Sequence, residues 1–391
     1  MRLVGSGRSF GATHGGRHKG REERSCENPM IMDEPMLKSR SDGGDEGAYS
    51  ITILDAQEQS LFAGLDAESA RRFFAYLFAQ PSKPGQRPQL RSLAIGLYDP
   101  WCDRRSYPLG ILWQSAPYSF CSHMCRYCYG RSYLRGKFKD GGRVKDGFRR
   151  KFDACLRRMN DLGLPPRHLS MANSTDILQA HLEREHRHVL FMLERLAGCR
   201  DMFSSFGILT KNPGVLLDDE RYAALLRELG VEVQVSIAFF RDDAARHVEP
   251  GAPAVSDRMR AIEKLVTKGV RVAIRVDPLF PRNVPACPVL QGRDEDLIPL
   301  VRWAKQAGAA YIIGKPLKLP VMGAVDRELH RQLAPAFADK RGSYWRMPAE
   351  EQERLLRDMR DICAAEGLPF EHCFLNILKR NSQRHAAVAM G

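Results

Sequence analysis

Three cysteines lie within one short segment, and they limit what this chain can fold into and bind more than any other feature of the sequence. They are Cys121, Cys125 and Cys128 in F-C-S-H-M-C-R-Y-C-Y, with three and then two residues between them. Thiolates are soft ligands, and thiolates this close in one loop suit an iron–sulfur cluster or zinc. A structural zinc needs a fourth protein ligand, and no other cysteine of the chain's ten is near enough in sequence to supply it. Three cysteines on a four-iron cluster leave one iron open to a substrate or cofactor.

The C-x3-C-x2-C spacing resembles the motif of the radical S-adenosylmethionine (radical SAM) enzymes. The resemblance implies a [4Fe–4S] cluster whose open iron chelates SAM, and reductive cleavage of SAM to a 5′-deoxyadenosyl radical. A motif this short can also arise by chance. Structural zinc, or cysteines without any ligand, therefore stay open as alternatives at this point.

The composition indicates a globular protein with an excess of positive charge. Of its 391 residues, 43% are hydrophobic and 27% are charged, which suffices for one large domain with appendages or for two ordinary domains. The net charge of +13 favours a polyanionic partner such as DNA or RNA. The alternative is an arginine-rich proteome, in which proteins of every function are basic.

No apolar run approaches the roughly 18 residues that a membrane span requires. We expect no signal peptide, because the first residues are rich in Gly, Arg and His. Ten cysteines in a chain of this length fall below the density of a secreted disulfide scaffold. These features predict a cytoplasmic protein without a membrane partner, in a reducing compartment that also suits an oxygen-sensitive cluster.

The apolar patterns divide the chain into four regions. Residues 1–48 predict a disordered basic head, because Gly alternates there with Arg and His and no apolar period is visible. Met30 is one of three methionines that could be the true start, so translation of residues 1–29 stays open. The other regions are an N-terminal preamble, a barrel and a mostly helical C-terminal extension: 49–115, 116–320 and 321–391.

Strand and helix patterns alternate along the third region. The predicted strands are Ile111–Trp113, His168–Met171, Phe206–Thr210, Val231–Ala238, Arg271–Asp277 and Ala310–Gly314. The helices predicted between and after them are Asp146–Met159, Leu182–Leu196, Glu220–Leu229, Val255–Lys268, Asp294–Ala307, Asp326–Phe337 and Ala349–Glu366. This alternation predicts βαβ units and a parallel sheet. It suits an α/β fold of the partial (β/α)6 TIM type, which the radical SAM resemblance also implies. A Rossmann-like sheet is the alternative, but no G-x-G-x-x-G follows the first strand.

Polar groups occur at successive strand ends, where functional groups gather in parallel α/β barrels. They are Asn173-Ser174-Thr175-Asp176, Thr210-Lys211, Ser236, and Arg275 with Asp277. We expect them to converge on one mouth that faces the cysteine loop. SAM has a carboxylate and an amino group, for which Lys211, Ser236 and Asp176 could supply a cation and acceptors. Ser174 and Arg275 are further candidates, although any one of these residues alone could be a solvated strand end.

Several short elements resemble, in order and spacing, the spore photoproduct lyase branch of the radical SAM proteins. They are Ala172-Asn173-Ser174-Thr175-Asp176-Ile177, Leu209-Thr210-Lys211, Ser236-Ile237, His247-Val248-Glu249-Pro250-Gly251, Arg258 with Ala261, Ile262 and Leu265, and Val276 to Pro278. The resemblance implies that Lys211 and Ser236 bind SAM. It also places Tyr127 and Tyr129 near a radical-transfer path, which makes them the candidate catalytic residues. Alternatively, Tyr127 packs beside adenine and Tyr129 beside the cluster.

The sequence departs from these lyases at one important position. The lyases carry a hydrogen-donating cysteine just before the T-S-D or S-T-D element, and this chain has Asn173 there. An amide does not donate a hydrogen atom as a thiol does. The nearest cysteines, Cys155 and Cys199, fall on or beside predicted helices. The resemblance therefore implies radical chemistry on an unassigned substrate rather than repair of spore photoproduct by that route.

A basic segment follows the cysteines. Residues 126–167 carry thirteen Lys and Arg against four Asp and Glu, and the first half is rich in Gly. A mobile basic loop over an active site could bind phosphates. For Arg149–Arg158 we favour an amphipathic helix with a solvated charged face. For Lys137, Lys139 and Lys145 both interpretations stay open.

The sequence thus predicts a radical SAM enzyme that uses a [4Fe–4S] cluster and SAM on an unassigned substrate, with nucleic acid as one candidate. Such an enzyme requires an electron donor such as a flavodoxin or ferredoxin. The alternative comes from another class of protein. It is a non-catalytic nucleic-acid-binding protein that contains zinc or a cluster.

Overall fold

The computed structural model of the protein describes residues 66–79, 89–98, 112–128, 130, 141–172, 175–282, 284, 291–321, 326–341 and 344–372. All of these residues belong to one compact unit, Ser50–Gly391. The predicted basic head, residues 1–48, lies outside the described residues.

Fifteen strands and ten α-helices lie in these ranges. The strands are β1 Phe78–Ala79, β2 Gln89–Leu90, β3 Ile95–Tyr98, β4 Leu112–Ser115, β5 Tyr118–Ser119, β6 Arg143–Val144, β7 Arg167–Met171, β8 Phe203–Thr210, β9 Glu232–Ser236, β10 Arg271–Leu279, β11 Ile312–Pro316, β12 Lys318–Pro320, β13 Asp339–Arg341, β14 Tyr344–Arg346 and β15 Phe370–His372. The helices are α1 Ala67–Leu77, α2 Phe148–Asp161, α3 Ala180–His186, α4 His188–Ala197, α5 Glu220–Leu229, α6 Asp242–Val248, α7 Val255–Thr267, α8 Ile298–Gln306, α9 Arg327–Leu333 and α10 Ala349–Ala365. Every helix among the described residues is too short or too polar to span a bilayer.

An eight-stranded sheet forms the centre of the fold. Its strand order is β15-β11-β10-β9-β8-β7-β4-β3. All neighbours from β4 to β15 pair in parallel, and β3 pairs antiparallel with β4 at the edge. From β4 to β11 the strands follow one another in chain order with helices between them, which is the repeating unit of a (β/α) barrel. The predicted α/β fold of the partial TIM type is therefore confirmed.

Burial explains why these segments form strands and helices. Every residue of β7 and β9 is buried, as expected for parallel strands that are covered on both faces. The helices that cover them are amphipathic. In α2, Phe148, Phe152, Cys155 and Met159 are buried at helical spacing, while Arg149, Arg150 and Arg157 are exposed. The helix predicted for Arg149–Arg158 is thus observed with a solvated charged face, and Cys155 packs in the core.

The helix predicted over Leu182–Leu196 is broken into α3 and α4. The break lies at Arg187, whose φ of 49° is left-handed. The carboxylate of Glu183 is buried, and it accepts hydrogen bonds from the backbone N–H groups of Val189 and Leu190 at 3.0 and 3.2 Å. These N–H groups belong to the first turn of α4 and have no partner within that helix. A buried acid that satisfies them favours a new helix start over a continuous helix.

The C-terminal region is less helical than predicted. Its two predicted helices are present as α9 and α10. However, β13 and β14 form an antiparallel sheet with β12, and β15 adds a further parallel strand beside β11. Each of these strands has only three residues, which is too short for an alternating apolar pattern to be visible in the sequence.

Candidate active site

The carboxyl ends of the parallel strands and the loop after β5 surround one cleft. It encloses about 980 Å³, its open mouth included. Every predicted site residue that the structure describes lines this cleft: Cys121, Cys125, Cys128, Tyr127, Asp176, Lys211, Ser236 and Arg275. Tyr129 and Ser174 lie outside the described residues, as do Asn173, Lys137 and Lys139.

The three thiols face the cleft from one loop. Cys125 is buried, and Cys121 and Cys128 are partly buried. Burial raises the pKa of Cys121 to about 12, and the negative charges of Asp176 and Cys128 add to the effect. Burial also raises the pKa of Cys125, helped by the charge of Glu249 and opposed by Lys211. Three thiolates in this place would repel one another, so the deprotonated trio needs a cationic partner such as an iron–sulfur core.

These residues fit a cluster with one open iron. The described residues include no group of three or more His, Cys, Asp or Glu side chains that could hold a single metal ion. A cubane presents four separate irons, so its thiolates do not have to meet at one ion. Cys121, Cys125 and Cys128 all line the same cleft, so the three thiols share one site.

Side chains from the segment after β7 hold one side of the cysteine loop. Gln179 accepts a hydrogen bond from the Ser122 N–H at 2.8 Å and donates one to the Phe120 carbonyl at 3.0 Å. Asp176 lies 3.0 Å from Nε2 of His123. Phe120 has a left-handed φ of 61°, a conformation that a bulky residue adopts only when its surroundings enforce it. The loop therefore depends on tertiary contacts for its shape.

The carboxylate of Asp176 has four protein partners. Besides His123, it accepts hydrogen bonds from the Thr210 hydroxyl at 2.8 Å, the Lys211 N–H at 2.6 Å and the Leu178 N–H at 2.9 Å. Burial raises the pKa of Asp176, but His123 and the other donors outweigh burial and lower the pKa overall. Binding of SAM by Asp176 stays a prediction. The observed contacts favour a role in joining the cysteine loop to the end of β8.

The E-P-G element, Glu249-Pro250-Gly251, holds the other side of the cysteine loop. Gly251 donates its N–H to the carbonyl of His123 at 3.0 Å, and Arg126 donates its N–H to the carbonyl of Val248 at 2.8 Å. A Cβ atom at Gly251 would lie 2.3 Å from the carbonyl oxygen of Ser122. Only glycine permits this close approach of the two backbones.

Glu249, the acid of the E-P-G element, forms a charged cluster behind the wall of the cleft. Its side chain is 1% exposed and lies 2.6 Å from the Arg258 guanidinium and 3.3 Å from Nζ of Lys211. The Tyr127 hydroxyl also donates to it. Burial raises the pKa of Glu249, but the charges of Arg258 and Lys211 outweigh burial and lower the pKa to about 2. Glu249 is therefore ionised, and the sequence resemblance did not assign it a role.

These contacts bear on Tyr127, a predicted catalytic residue. Its ring packs edge-on against Phe280 with centroids 5.5 Å apart, and its hydroxyl is bonded to the buried Glu249. A catalytic role for Tyr127 stays a prediction. The contacts with Phe280 and Glu249 favour a packing role for Tyr127 over a catalytic one. The alternative from the sequence, that Tyr127 packs beside adenine, also stays a prediction.

The ends of β10 and β11 carry a second group of charges. Arg275 donates to Gln234 at 2.9 Å and to Asp277 at 3.0 Å, and Nζ of Lys315 lies 3.5 Å from Asp277. Burial raises the pKa of Asp277, but Lys315 and Arg275 outweigh burial and lower it to about 2. Lys315 and Lys318 also line the cleft, and the sequence analysis missed both. They follow the sixth predicted strand, so the rule used for the other strand ends would have found them.

Comparisons with known proteins concern the family and the fold. Residues 115–283 match the family model of the Radical SAM superfamily. The structure of spore photoproduct lyase complexed with dinucleoside spore photoproduct is similar, with a TM-score of 0.52 and 16% identity over 72% of this chain and 79% of that chain. A double mutant of that lyase with bound AdoMet and the dinucleoside photoproduct gives the same TM-score, identity and coverage. At this level of identity the likeness concerns the fold alone.

A curated viral protein is also similar. It is the uncharacterized protein ORF301 of Acidianus two-tailed virus, which is 27% identical over 133 residues. The match covers 29% of this chain and 43% of the viral protein. The chain thus spans less than half the length of that relative.

Proposed function

We propose that this chain is a radical SAM enzyme and that it binds a [4Fe–4S] cluster through Cys121, Cys125 and Cys128. The match of residues 115–283 to the superfamily's model supports the proposal. Proteins of this superfamily use such a cluster together with SAM. When bound, the cluster supplies the electron that cleaves SAM to a 5′-deoxyadenosyl radical. The observation that carries the proposal is that the three thiols share one cleft with the polar ends of the parallel strands.

The protein's part is to bind and orient SAM and to exclude water. Lys211 lines the cleft, and its ammonium has three donors, of which Glu249 needs only one. A second donor of the same ammonium can bind the SAM carboxylate. Ser236 offers a hydroxyl on the neighbouring strand, and Arg275, which is paired with Asp277, adds a guanidinium to the lining of the cleft. Apolar groups between these polar ones restrict water: Leu209, Pro278, Pro316 and Leu317.

Anaerobic reconstitution tests the proposal. We expect the purified protein to bind iron and sulfide and, with dithionite or a flavodoxin or ferredoxin as electron donor, to release 5′-deoxyadenosine from SAM. One zinc and no iron per chain would instead support the non-catalytic nucleic-acid-binding protein.

Lys211→Ala should weaken SAM binding by about 10- to 100-fold, because a hydrogen bond to a charged group contributes about 1.5–3 kcal/mol. The iron content should stay at the wild-type value. Lys268→Ala is a suitable control, since Lys268 forms a surface pair with Glu220 and does not line the cleft. Titration of each reconstituted protein with SAM measures the difference, and an unchanged affinity in Lys211→Ala would remove Lys211 from the site.

Nucleic acid is the substrate class that the charges favour. The chain has a net charge of +13, and Lys315 and Lys318 lie at the cleft. We expect binding of DNA or RNA that weakens as salt rises. On duplex DNA, the logarithm of the association constant should fall against the logarithm of the salt concentration with a slope of about −0.9 for each phosphate contacted. Filter binding or fluorescence anisotropy at several salt concentrations measures this slope. An absence of binding at low salt would exclude a nucleic-acid substrate.

A further inference from the structure

Glu249 lies directly behind a residue that is proposed to bind SAM, yet it is not among the residues that line the cleft. Its two carboxylate oxygens have different partners. Oε2 pairs with Arg258, and Oε1 faces both Nζ of Lys211 and the Tyr127 hydroxyl. The carboxylate thus lies between the Arg258 guanidinium, which is buried, and the Lys211 ammonium, which lines the cleft.

The Arg258 side of this connection is rigid. Arg258 is 1% exposed, and it donates to the carbonyl of Ser236 at 3.0 Å and to the carbonyl of Pro253 at 2.9 Å. These two acceptors are backbone atoms, so the guanidinium has a fixed place. Its 2.6 Å pair with Glu249 therefore fixes the carboxylate too, independently of Lys211.

We propose that Glu249 is a positioning residue, which holds the ammonium of Lys211 in the orientation that receives SAM. Glu249 does not line the cleft, so it acts through Lys211. The proposal rests on the proposed function, in which Lys211 binds the SAM carboxylate. A lysine side chain has four rotatable bonds, and fixing it in one conformation costs free energy. An acid that fixes Lys211 in advance removes this cost from SAM binding.

A purely structural role for Glu249 makes a different prediction. In that case Glu249 only balances Arg258 and anchors Tyr127, and its loss distorts the cysteine loop whether or not Lys211 is present. A double-mutant cycle separates the two roles, because it measures whether the effect of one residue depends on the other.

The test measures the dissociation constant of SAM for four reconstituted proteins: wild type, Glu249→Gln, Lys211→Met and the double variant. We expect Glu249→Gln to weaken SAM binding about tenfold when Lys211 is present and less than twofold when it is methionine. Equal weakening in both backgrounds would overturn the positioning role. If Lys211→Met alone leaves the affinity unchanged, it is the proposed role of Lys211 that fails.

Two further variants complete the test. Asp296→Asn is a matched control, since Asp296 is a buried acid that accepts from the Phe240 N–H at 3.0 Å, pairs with Arg241 at 3.0 Å and does not line the cleft. We expect it to change SAM affinity less than twofold. If Glu249→Gln does not retain iron, the cycle is run with Glu249→Asp, which keeps the charge but draws the carboxylate back by one methylene. Weakening that depends on Lys211 supports the proposal, and weakening that does not overturns it.

Discussion

Replacing Cys125 with alanine should reduce both the iron content and the release of 5′-deoxyadenosine to background. Cys125 is the most deeply buried of the three thiols, with 8% of its surface exposed. Cys121 and Cys128 cannot hold the cluster without it, because a four-iron cluster with one open iron needs three thiolates and the variant has only two in the loop. The alanine removes only the sulfur, and the hydrogen bond from the Cys128 N–H to the carbonyl of residue 125 is kept. We therefore expect the apoprotein to fold normally by circular dichroism.

Cys199→Ala provides the matched control. Cys199 is a free, partly buried cysteine that does not line the cleft. We expect this variant to retain wild-type iron content, cluster absorbance and SAM cleavage. Wild-type cleavage by Cys125→Ala would contradict the assignment of the cluster, and a loss of iron in Cys199→Ala would mean that other thiols take part in holding it.

The sequence predicted the central sheet well, because its signals are local. Glu220–Leu229 was predicted with the bounds that α5 has in the structure, since Asp219 caps its start and Gly230 adopts a left-handed φ at its end. The strand ends were predictable for the same reason, since a parallel sheet brings its carboxyl ends to one edge. Hence the sequence alone placed Lys211, Ser236 and Arg275 at this edge, where they line the cleft.

The supporting contacts were not predictable from the sequence, because they join distant segments. Glu249 meets Lys211 and Tyr127 across 38 and 122 residues of chain, and nothing in the local pattern of H-V-E-P-G indicates such partners. The break between α3 and α4 has the same origin, since it depends on the buried position of Glu183. Asp176 shows how far prediction from the sequence reaches within the site. Its place at a strand end was predictable, but the four donors that occupy its carboxylate come from three separate segments.

Arg258→Met should lower the free energy of unfolding by about 3–5 kcal/mol, the usual effect of removing one partner of a buried ion pair. Methionine has a flexible chain that fills much of the vacated space, so the loss reflects charge and hydrogen bonding rather than volume. The variant loses the pair with Glu249 and the bonds to the carbonyls of Ser236 and Pro253. Unfolding of the apoproteins in urea measures the change as a shift of the midpoint at constant slope.

Arg260→Met is the matched control on the same helix. Arg260 is 64% exposed and pairs with Asp257, which is 56% exposed, so its loss should cost less than about 1 kcal/mol. A similar midpoint for the two variants would mean that Arg258 does not form a buried pair. Glu249 would then lack the fixed cation from which it positions Lys211, so the stability of Arg258→Met also tests the first step of the inference about SAM binding.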